Sequence, residues 1–61
     1  STGSIDINEE KILTYLSSEP KNINEIILES DLTSALVSST LSIMEIKGIV
    51  KNLGGLNYTK K

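Results

Sequence analysis

Apolar residues recur at helical spacing in three parts of the chain, and each part opens with the same local pattern. An apolar residue precedes an Asn or Thr, and a second apolar residue follows at the fourth helical position. In a hydrophobic staple, the polar side chain caps the helix by accepting a backbone N–H, and the two apolar residues fix the entry angle of the chain. The pattern therefore predicts three helices. Their caps are Asn8, Asn24 and Thr33, and their apolar pairs are Ile7 with Ile12, Ile23 with Leu28, and Leu32 with Val37.

The first predicted helix runs from Glu9 to Ser17, and Pro20 ends the segment because proline cannot continue a helix. The second helix is short, from Glu25 to Ser30. Only Asp31 and Leu32 separate it from the third cap, so the second and third helices must meet at a steep angle, as in a helix-turn-helix. The inward residues of the first helix are Ile12, Leu13 and Leu16, with Tyr15 at the margin, and the apolar residues of the second helix are Ile26, Ile27 and Leu28.

The third predicted helix runs from Ser34 to Lys47, and Gly48 is its left-handed C-terminal stop. At 100° per residue, Val37, Leu41 and Met44 share one face, which is the expected core face. The flank of that face carries Leu36 and Thr40, and the opposite side carries Ala35, Ser38, Ser39, Ser42 and Ile46.

After Gly48 the pattern changes to that of a β-hairpin. Residues 49–53 and 56–59 are rich in strand-forming residues, and Gly54-Gly55 between them is a tight-turn signal. We also predict a short third strand at Asn22-Ile23, paired with the edge of the hairpin. The order favours a mainly α (α+β) winged helix-turn-helix, with three helices followed by a hairpin wing. A bare three-helix bundle is the alternative, but it leaves Leu53, Leu56 and Tyr58 without a role.

The composition excludes several functions. Among 61 residues there is no Cys, no His and no Arg, so thiol chemistry, the usual general base and the commonest metal ligand are missing. We expect no enzyme, catalytic residue, metal site or cofactor. Glu9-Glu10 fits the positive end of a helix dipole better than a catalytic carboxylate pair. Residues 1–5 read as a disordered leader or cloning remnant and 6–61 as the domain. With no cysteine, secretory signal or apolar run beyond three residues, we expect a cytoplasmic protein that does not contact membranes.

Charge divides the chain into an acidic body and a basic end. Residues 1–45 hold all eight acids, whereas residues 46–61 hold four of the six lysines and no acid. Lysines on a wing can bind phosphates without reading sequence, although strand edges also carry Lys for solubility. The candidate contacts with the DNA backbone are Lys47, Lys51, Lys60 and Lys61, with Ser34, Ser38 and Ser39 from the outward face of the third helix.

That outward face carries none of the Arg, Lys, Asn or Gln side chains that distinguish base pairs, so we do not expect sequence-specific recognition. It fits ordinary solvent exposure or close approach of another backbone. Ile43, Ile46 and Leu56 are the candidate partner surface, although Ile46 is expected to pack under the hairpin. Tyr58 is expected to anchor the wing by packing inward rather than to stack on a base.

The same residues resemble a known family. Residues 10–13 with Leu16, then Pro20, Ile23 and Glu25-Ile26, are similar to the start of the C-terminal winged-helix domain of DNA-processing protein A (DprA, or Smf). Leu41 followed by residues 44–50 resembles the family's Leu-Glu-Leu-x-Gly-Leu-Val run. Residues 53–55 with Tyr58 resemble its Gly-Gly-x-Tyr wing, with one extra residue before the tyrosine and without the family's common wing Arg and the Pro often found before the glycines.

The resemblance implies an accessory domain of a cytoplasmic protein that handles incoming single-stranded DNA during natural transformation, while a Rossmann-like core outside this chain does the main DNA work. The implied partners are single-stranded DNA, bound weakly or through that core, a second copy, or other competence and recombination proteins. We therefore expect weak, sequence-independent DNA contact. The alternative is a protein-interaction or dimerisation module that does not bind DNA itself.

Overall fold

Three helices and a three-stranded antiparallel sheet make up the structure, a computed structural model that describes residues 6–61. The predicted leader, residues 1–5, lies outside the described residues. The helices and the hairpin follow the predicted order, and the winged-helix class is confirmed. In chain order the elements are α1 (Ile7–Tyr15), β1 (Lys21–Asn22), α2 (Ile23–Ser30), α3 (Ser34–Lys47), β2 (Val50–Asn52) and β3 (Asn57–Lys60).

The start of α1 lies two residues before the predicted one. Its N-cap is Asp6, not Asn8, and the Asp6 backbone N–H donates to the Glu9 carboxylate at 3.3 Å. In a capping box, a glutamate three residues after the cap accepts the backbone N–H of the cap residue. The position of Glu9 therefore decides the start of the helix, and the prediction of Asn8 as the cap is wrong.

The end of α1 also lies two residues before the predicted Ser17. Leu16 is already extended, and its N–H returns to the carbonyl of Leu13 at 3.2 Å. The carbonyl of Ser17 then accepts the backbone N–H of Lys60 at 2.8 Å. A hydrogen bond to the sheet thus replaces the last helical turn.

The predicted start of α2 at Glu25, with Asn24 as its cap, is wrong on both counts. Asn22 is the cap, and its side chain accepts the backbone N–H of Asn24 at 2.9 Å. Because Asn22 also belongs to β1 and pairs with Asn57 of β3, the sheet holds it extended. The helix therefore begins at the next residue, Ile23.

The helix-turn-helix has the predicted steep geometry, with α2 and α3 bent by 117° from one another. The turn uses a left-handed residue, Asp31 at φ 61°. The fully buried hydroxyl of Ser30 accepts the N–H of Leu32 at 3.3 Å. The Thr33 side chain accepts the N–H of Leu36 at 3.2 Å, and Gly48 ends α3 at φ 80°. The predicted bounds and caps of α3 are confirmed.

The sheet has the order β1-β3-β2. Its third strand pairs with β3, as predicted, but covers Lys21–Asn22 rather than Asn22-Ile23. The hairpin tip departs further from expectation, because three successive residues have positive φ: Gly54 at 98°, Gly55 at 61° and Leu56 at 63°. The N–H of Ile23 donates to the Leu56 carbonyl at 2.9 Å, so the start of α2 ties down the tip.

The core lies between the three helices and the inner face of the sheet, and Leu41 is fully buried within it, as predicted. One prediction about an apolar position is wrong, because Ile46 is 86% exposed instead of packing under the hairpin. Ile46 lies on the side of α3 that faces away from the core. Val50, in the core, and Ile49, packed against it, make the apolar contacts at the start of the hairpin instead. Leu28, an apolar residue of α2, is 82% exposed. The buried apolar residues are Ile12, Leu16, Ile23, Ile26, Val37, Leu41, Met44, Val50 and Tyr58.

Within residues 6–61, no single helix is long and apolar enough to cross a membrane. Helices α2 and α3 together have the required length and composition, but they are bent by 117° from one another.

Candidate functional site

One of the four candidate DNA-binding lysines is held in an ion pair. The ammonium group of Lys47 lies 3.1 and 3.0 Å from the two carboxylate oxygens of Glu9. The Glu9 side chain is 3% exposed and that of Lys47 is 39% exposed. A buried carboxylate is costly unless it is paired and hydrogen-bonded, so the ion pair with Lys47 offsets the desolvation of Glu9. Lys47 is therefore a weaker candidate for phosphate contact than its sequence position indicates.

The role of Glu9 goes beyond the helix-dipole role predicted for it. Its carboxylate also accepts the N–H of Asp6, so one side chain caps α1 and binds the C-terminal end of α3. The sequence shows a glutamate three residues after an aspartate, which is a capping-box signal. It shows nothing that pairs Glu9 with a lysine 38 residues away.

The other three candidate lysines form no ion pair with any of residues 6–61. Lys51 is exposed and lies opposite Thr59 in the ladder, whereas Lys60 lies opposite Val50. Directly opposed residues share a face and successive residues alternate, so Lys51 and Lys60 lie on opposite faces of the sheet. These lysines act as separate point charges rather than as one basic patch.

The positive charge lies at the base of the wing and along its side, not at its tip. The backbone N–H of Lys61 donates to the Ile49 carbonyl at 3.0 Å, which places the C-terminal lysines beside the start of the hairpin. The tip itself is uncharged. It consists of Leu53, Gly54, Gly55 and Leu56, and both leucines are about half exposed.

Three asparagines hold that tip in place. Asn52 accepts the N–H of Gly54 at 2.8 Å, Asn57 donates to the Gly54 carbonyl at 3.1 Å, and Asn22 donates to Asn57 at 3.3 Å. Asparagine side chains substitute for backbone partners in turns. The left-handed backbone of the tip is therefore fixed by its own hydrogen bonds and by Ile23.

The outward face of α3 offers hydroxyl groups but no charge. Ser34, Ser38 and Ser39 are exposed there, as predicted. Ser39 already donates to the Leu36 carbonyl at 3.3 Å, which leaves its oxygen as an acceptor. Hydroxyls in this position can approach a phosphate but cannot distinguish base pairs.

The candidate partner residues are all exposed. Ile46 is 86% exposed, Leu56 52% and Ile43 47%. Ile43 and Ile46 lie close together on the outer side of α3, whereas Leu56 lies on the tip of the wing. They therefore offer two separate apolar surfaces. No pocket opens among residues 6–61.

Tyr58 anchors the wing, as predicted, and is 5% exposed. Asn52 donates a long hydrogen bond of 3.4 Å to its hydroxyl. Burial raises the pKa of Tyr58 above its usual value of 10.0, and the nearby negative charge of Glu45 raises it further. The ring is unavailable for stacking on a base.

The model of one protein family, described as the DprA winged helix domain, matches residues 3–55. This match covers most of the 61-residue chain. The chain belongs to this family. The match ends at Gly55. It therefore includes the three helices, β1 and β2 of this DprA winged helix domain, whereas β3 lies beyond it. Neither the curated proteins nor the solved structures contain a match.

Proposed function

We propose that this DprA winged helix domain is an accessory module of a cytoplasmic protein that acts on incoming single-stranded DNA in natural transformation. Its own contribution is weak, sequence-independent contact with the DNA backbone, and it has no catalytic activity. One observation carries this proposal: Lys51, Lys60 and Lys61 form no ion pair with the described residues and lie in a segment, 46–61, without an acid.

The expected affinity is low for two reasons. Lysine binds phosphate as a point charge and lacks the two-pronged contact of arginine. The chain also carries a net charge of −2, so its acidic body opposes approach to DNA. Three phosphate contacts give a log–log salt slope of about −2 for single strands and about −3 for duplex. We expect no preference among sequences.

Fluorescence anisotropy with a labelled single-stranded oligonucleotide at low salt tests this proposal. Lys51→Gln removes one wing charge, and Lys11→Gln is the matched control, because it changes the net charge equally on the exposed surface of α1. We expect Lys51→Gln to weaken binding and to reduce the salt slope by about 0.7, with little effect from Lys11→Gln. Equal effects of the two substitutions, or no binding at low salt, would contradict wing contact.

A second candidate function is protein interaction, and the exposure of Ile43, Ile46 and Leu56 favours it. Exposed apolar side chains that group together indicate a site of association, and here Ile43 and Ile46 group on α3, whereas Leu56 lies apart on the tip of the wing. The partner classes are a second copy of this domain or another competence or recombination protein. Such association depends little on salt, in contrast to DNA binding. The two functions use different residues and can coexist.

A further inference from the structure

The pairing between β2 and β3 continues by one residue pair beyond each of its ends. The Leu53 N–H donates to the Asn57 carbonyl at 2.8 Å, and the Lys61 N–H donates to the Ile49 carbonyl at 3.0 Å. Both bonds keep the register of the two strands, so residues 49–53 pair in order with residues 57–61. Side chains alternate along a strand, and directly opposed residues share a face. The register therefore assigns every side chain of the hairpin to one of two faces.

One face of the hairpin packs on the core, and the other is turned away from it. Val50 and Tyr58, on the inner face, are 2% and 5% exposed. The side chains on the other side form the outward sheet face: Ile49, Lys51, Leu53, Asn57, Thr59 and Lys61. At the end nearest α3, Ile49 packs against the core. The exposed members of the outward sheet face are Lys51, Leu53 and Lys61.

The two lysines of the outward sheet face are diagonal neighbours. Lys51 lies directly opposite Thr59, and Lys61 follows Thr59 by two residues on the adjacent strand. Such neighbours are about 7–8 Å apart, a distance that long side chains can span. Neither lysine forms an ion pair with any of residues 6–61, and no member of this face is acidic. Like charges this close repel one another unless an anion lies between them, so the pair is suited to a phosphate.

An apolar side chain lies beside this lysine pair. Leu53 is 48% exposed and follows Lys51 by two residues, about 7 Å along the strand. Asn57, opposite Leu53, donates its amide N–H to the Gly54 carbonyl at 3.1 Å, and its side-chain oxygen accepts from Asn22 at 3.3 Å. The polar groups next to Leu53 are therefore engaged within the wing. A base lying on Leu53 gains apolar contact there without having its edge read.

We propose that the outward sheet face binds a single DNA strand, with a phosphate between Lys51 and Lys61 and an unstacked base against Leu53. A single strand can turn a base outward, whereas a duplex keeps its bases stacked and offers only phosphates to this surface. The inference rests on the proposed function and names the surface that performs it. Lys60 lies on the inner side of the register, so it attracts DNA independently of the lysine pair.

A leucine also accounts for a low affinity. Sheets that bind single strands commonly stack the bases on aromatic side chains, and the outward sheet face has none. Leu53 supplies apolar contact area without stacking, and the lysines supply charge without two-pronged contact. We therefore expect weak binding that prefers unpaired bases to paired ones but does not distinguish among base types.

A pair of double-mutant cycles tests the lysine pair, with anisotropy of a labelled oligothymidine at low salt as the readout. Lys51→Gln and Lys61→Gln should be non-additive, because both act on one phosphate. Their combination should weaken binding by about threefold less than the product of the single effects, or by a still smaller amount. Lys51→Gln with Lys60→Gln is the matched control and should be additive within about twofold. Additivity of positions 51 and 61, or equal coupling in both cycles, would overturn the shared phosphate.

The base contact is tested by Leu53→Ala with three probes: oligothymidine, a strand of abasic sites of the same length, and a duplex. The variant should weaken oligothymidine binding by about threefold, because it removes apolar area from the contact, and should leave the other two probes unchanged. Leu28→Ala, at an 82% exposed position on α2, should change none of them. An equal loss with the abasic strand, or no loss with oligothymidine, would overturn the base contact.

The same data separate this inference from the proposed function. A wild type that binds no oligonucleotide at low salt would reject both. A wild type that binds, and that Lys51→Gln weakens, but that shows neither the coupling nor the effect of Leu53→Ala, would reject the outward sheet face as the binding surface while the proposed function stands. Circular dichroism of each variant checks that the fold is kept.

Discussion

The carboxylate of Glu9 and the ammonium group of Lys47 meet at 3.0 Å across 38 residues of chain. The pair joins the first turn of α1 to the last turn of α3. Because the carboxylate is buried and also caps α1 through the N–H of Asp6, it acts as a structural element. The contact turns a lysine of the basic end into part of the scaffold.

Glu9→Ala should lower the free energy of unfolding by about 1–3 kcal/mol, because it removes a cap and a charge-assisted hydrogen bond. Lys47→Met should be at least as costly, since it leaves the Glu9 carboxylate buried without its partner. Urea denaturation measures both values. Glu10→Ala is the control, because Glu10 is exposed beside Glu9, and it should change stability by less than about 0.5 kcal/mol. Equal effects at positions 9 and 10 would show that the pair contributes nothing.

Leu41→Ala should leave the domain largely unfolded at room temperature. Leu41 is fully buried, and truncation of a buried leucine costs about 2–5 kcal/mol, which is close to the total stability of a small domain. Circular dichroism during a thermal melt reports the outcome. Leu28→Ala, at an 82% exposed position, should melt like the wild type. A cooperative, near-native melt of Leu41→Ala would mean that the core is wrongly assigned.

Leu56→Asn should raise the free energy of unfolding by up to about 1 kcal/mol. Leu56 has a φ of 63°, and asparagine tolerates the left-handed region far better than leucine. Leu53→Asn is a matched control, since Leu53 has nearly the same exposure, 48% against 52%, and is not among the positive-φ residues. Chemical denaturation should show stabilisation at position 56 only. Destabilisation by Leu56→Asn would show that the exposed side chain, rather than the backbone, matters there.

Stability should fall in alkaline solution through Tyr58. Its pKa is raised in the folded state by burial and by Glu45, so between 10.0 and the folded pKa the unfolded chain loses this proton first. The contribution is fully present below pH 10.0 and decreases as the pH rises through that window. Tyr15→Phe leaves one phenol for an absorbance titration, which should have its midpoint above 10.0. Tyr58→Phe should lose less stability over the same pH range, and identical pH profiles would contradict the account.

The sequence predicts best where local signals determine the structure. Thr33 and Gly48 give the two ends of α3 correctly, because a cap side chain and a left-handed glycine act within one turn. The start of α1 also has a local signal, Glu9 three residues after Asp6, but the apolar-Asn pattern at Ile7-Asn8 points to a different cap. The start of α2 is set by a distant contact, because Asn22 is held by its strand partner Asn57.

The candidate site follows the same division. The exposure of Lys51 and Ser38 follows from their positions on a strand and a helix. The ion pair between Lys47 and Glu9 requires the packing of α1 against α3, which no local sequence pattern shows. The helical phase places Ile46 opposite the core face, and this agrees with its exposure. The expectation that it packs under the hairpin is wrong because Ile49 lies beside the core there.

An amide-shift titration of the isotope-labelled domain with a short single-stranded oligonucleotide at low salt tests the central claim most directly. We predict shifts at Lys51, Lys60 and Lys61 that disappear as salt is added, with little change at Lys47. Unchanged spectra throughout the titration, or shifts confined to the outward face of α3, would contradict DNA contact by the wing lysines.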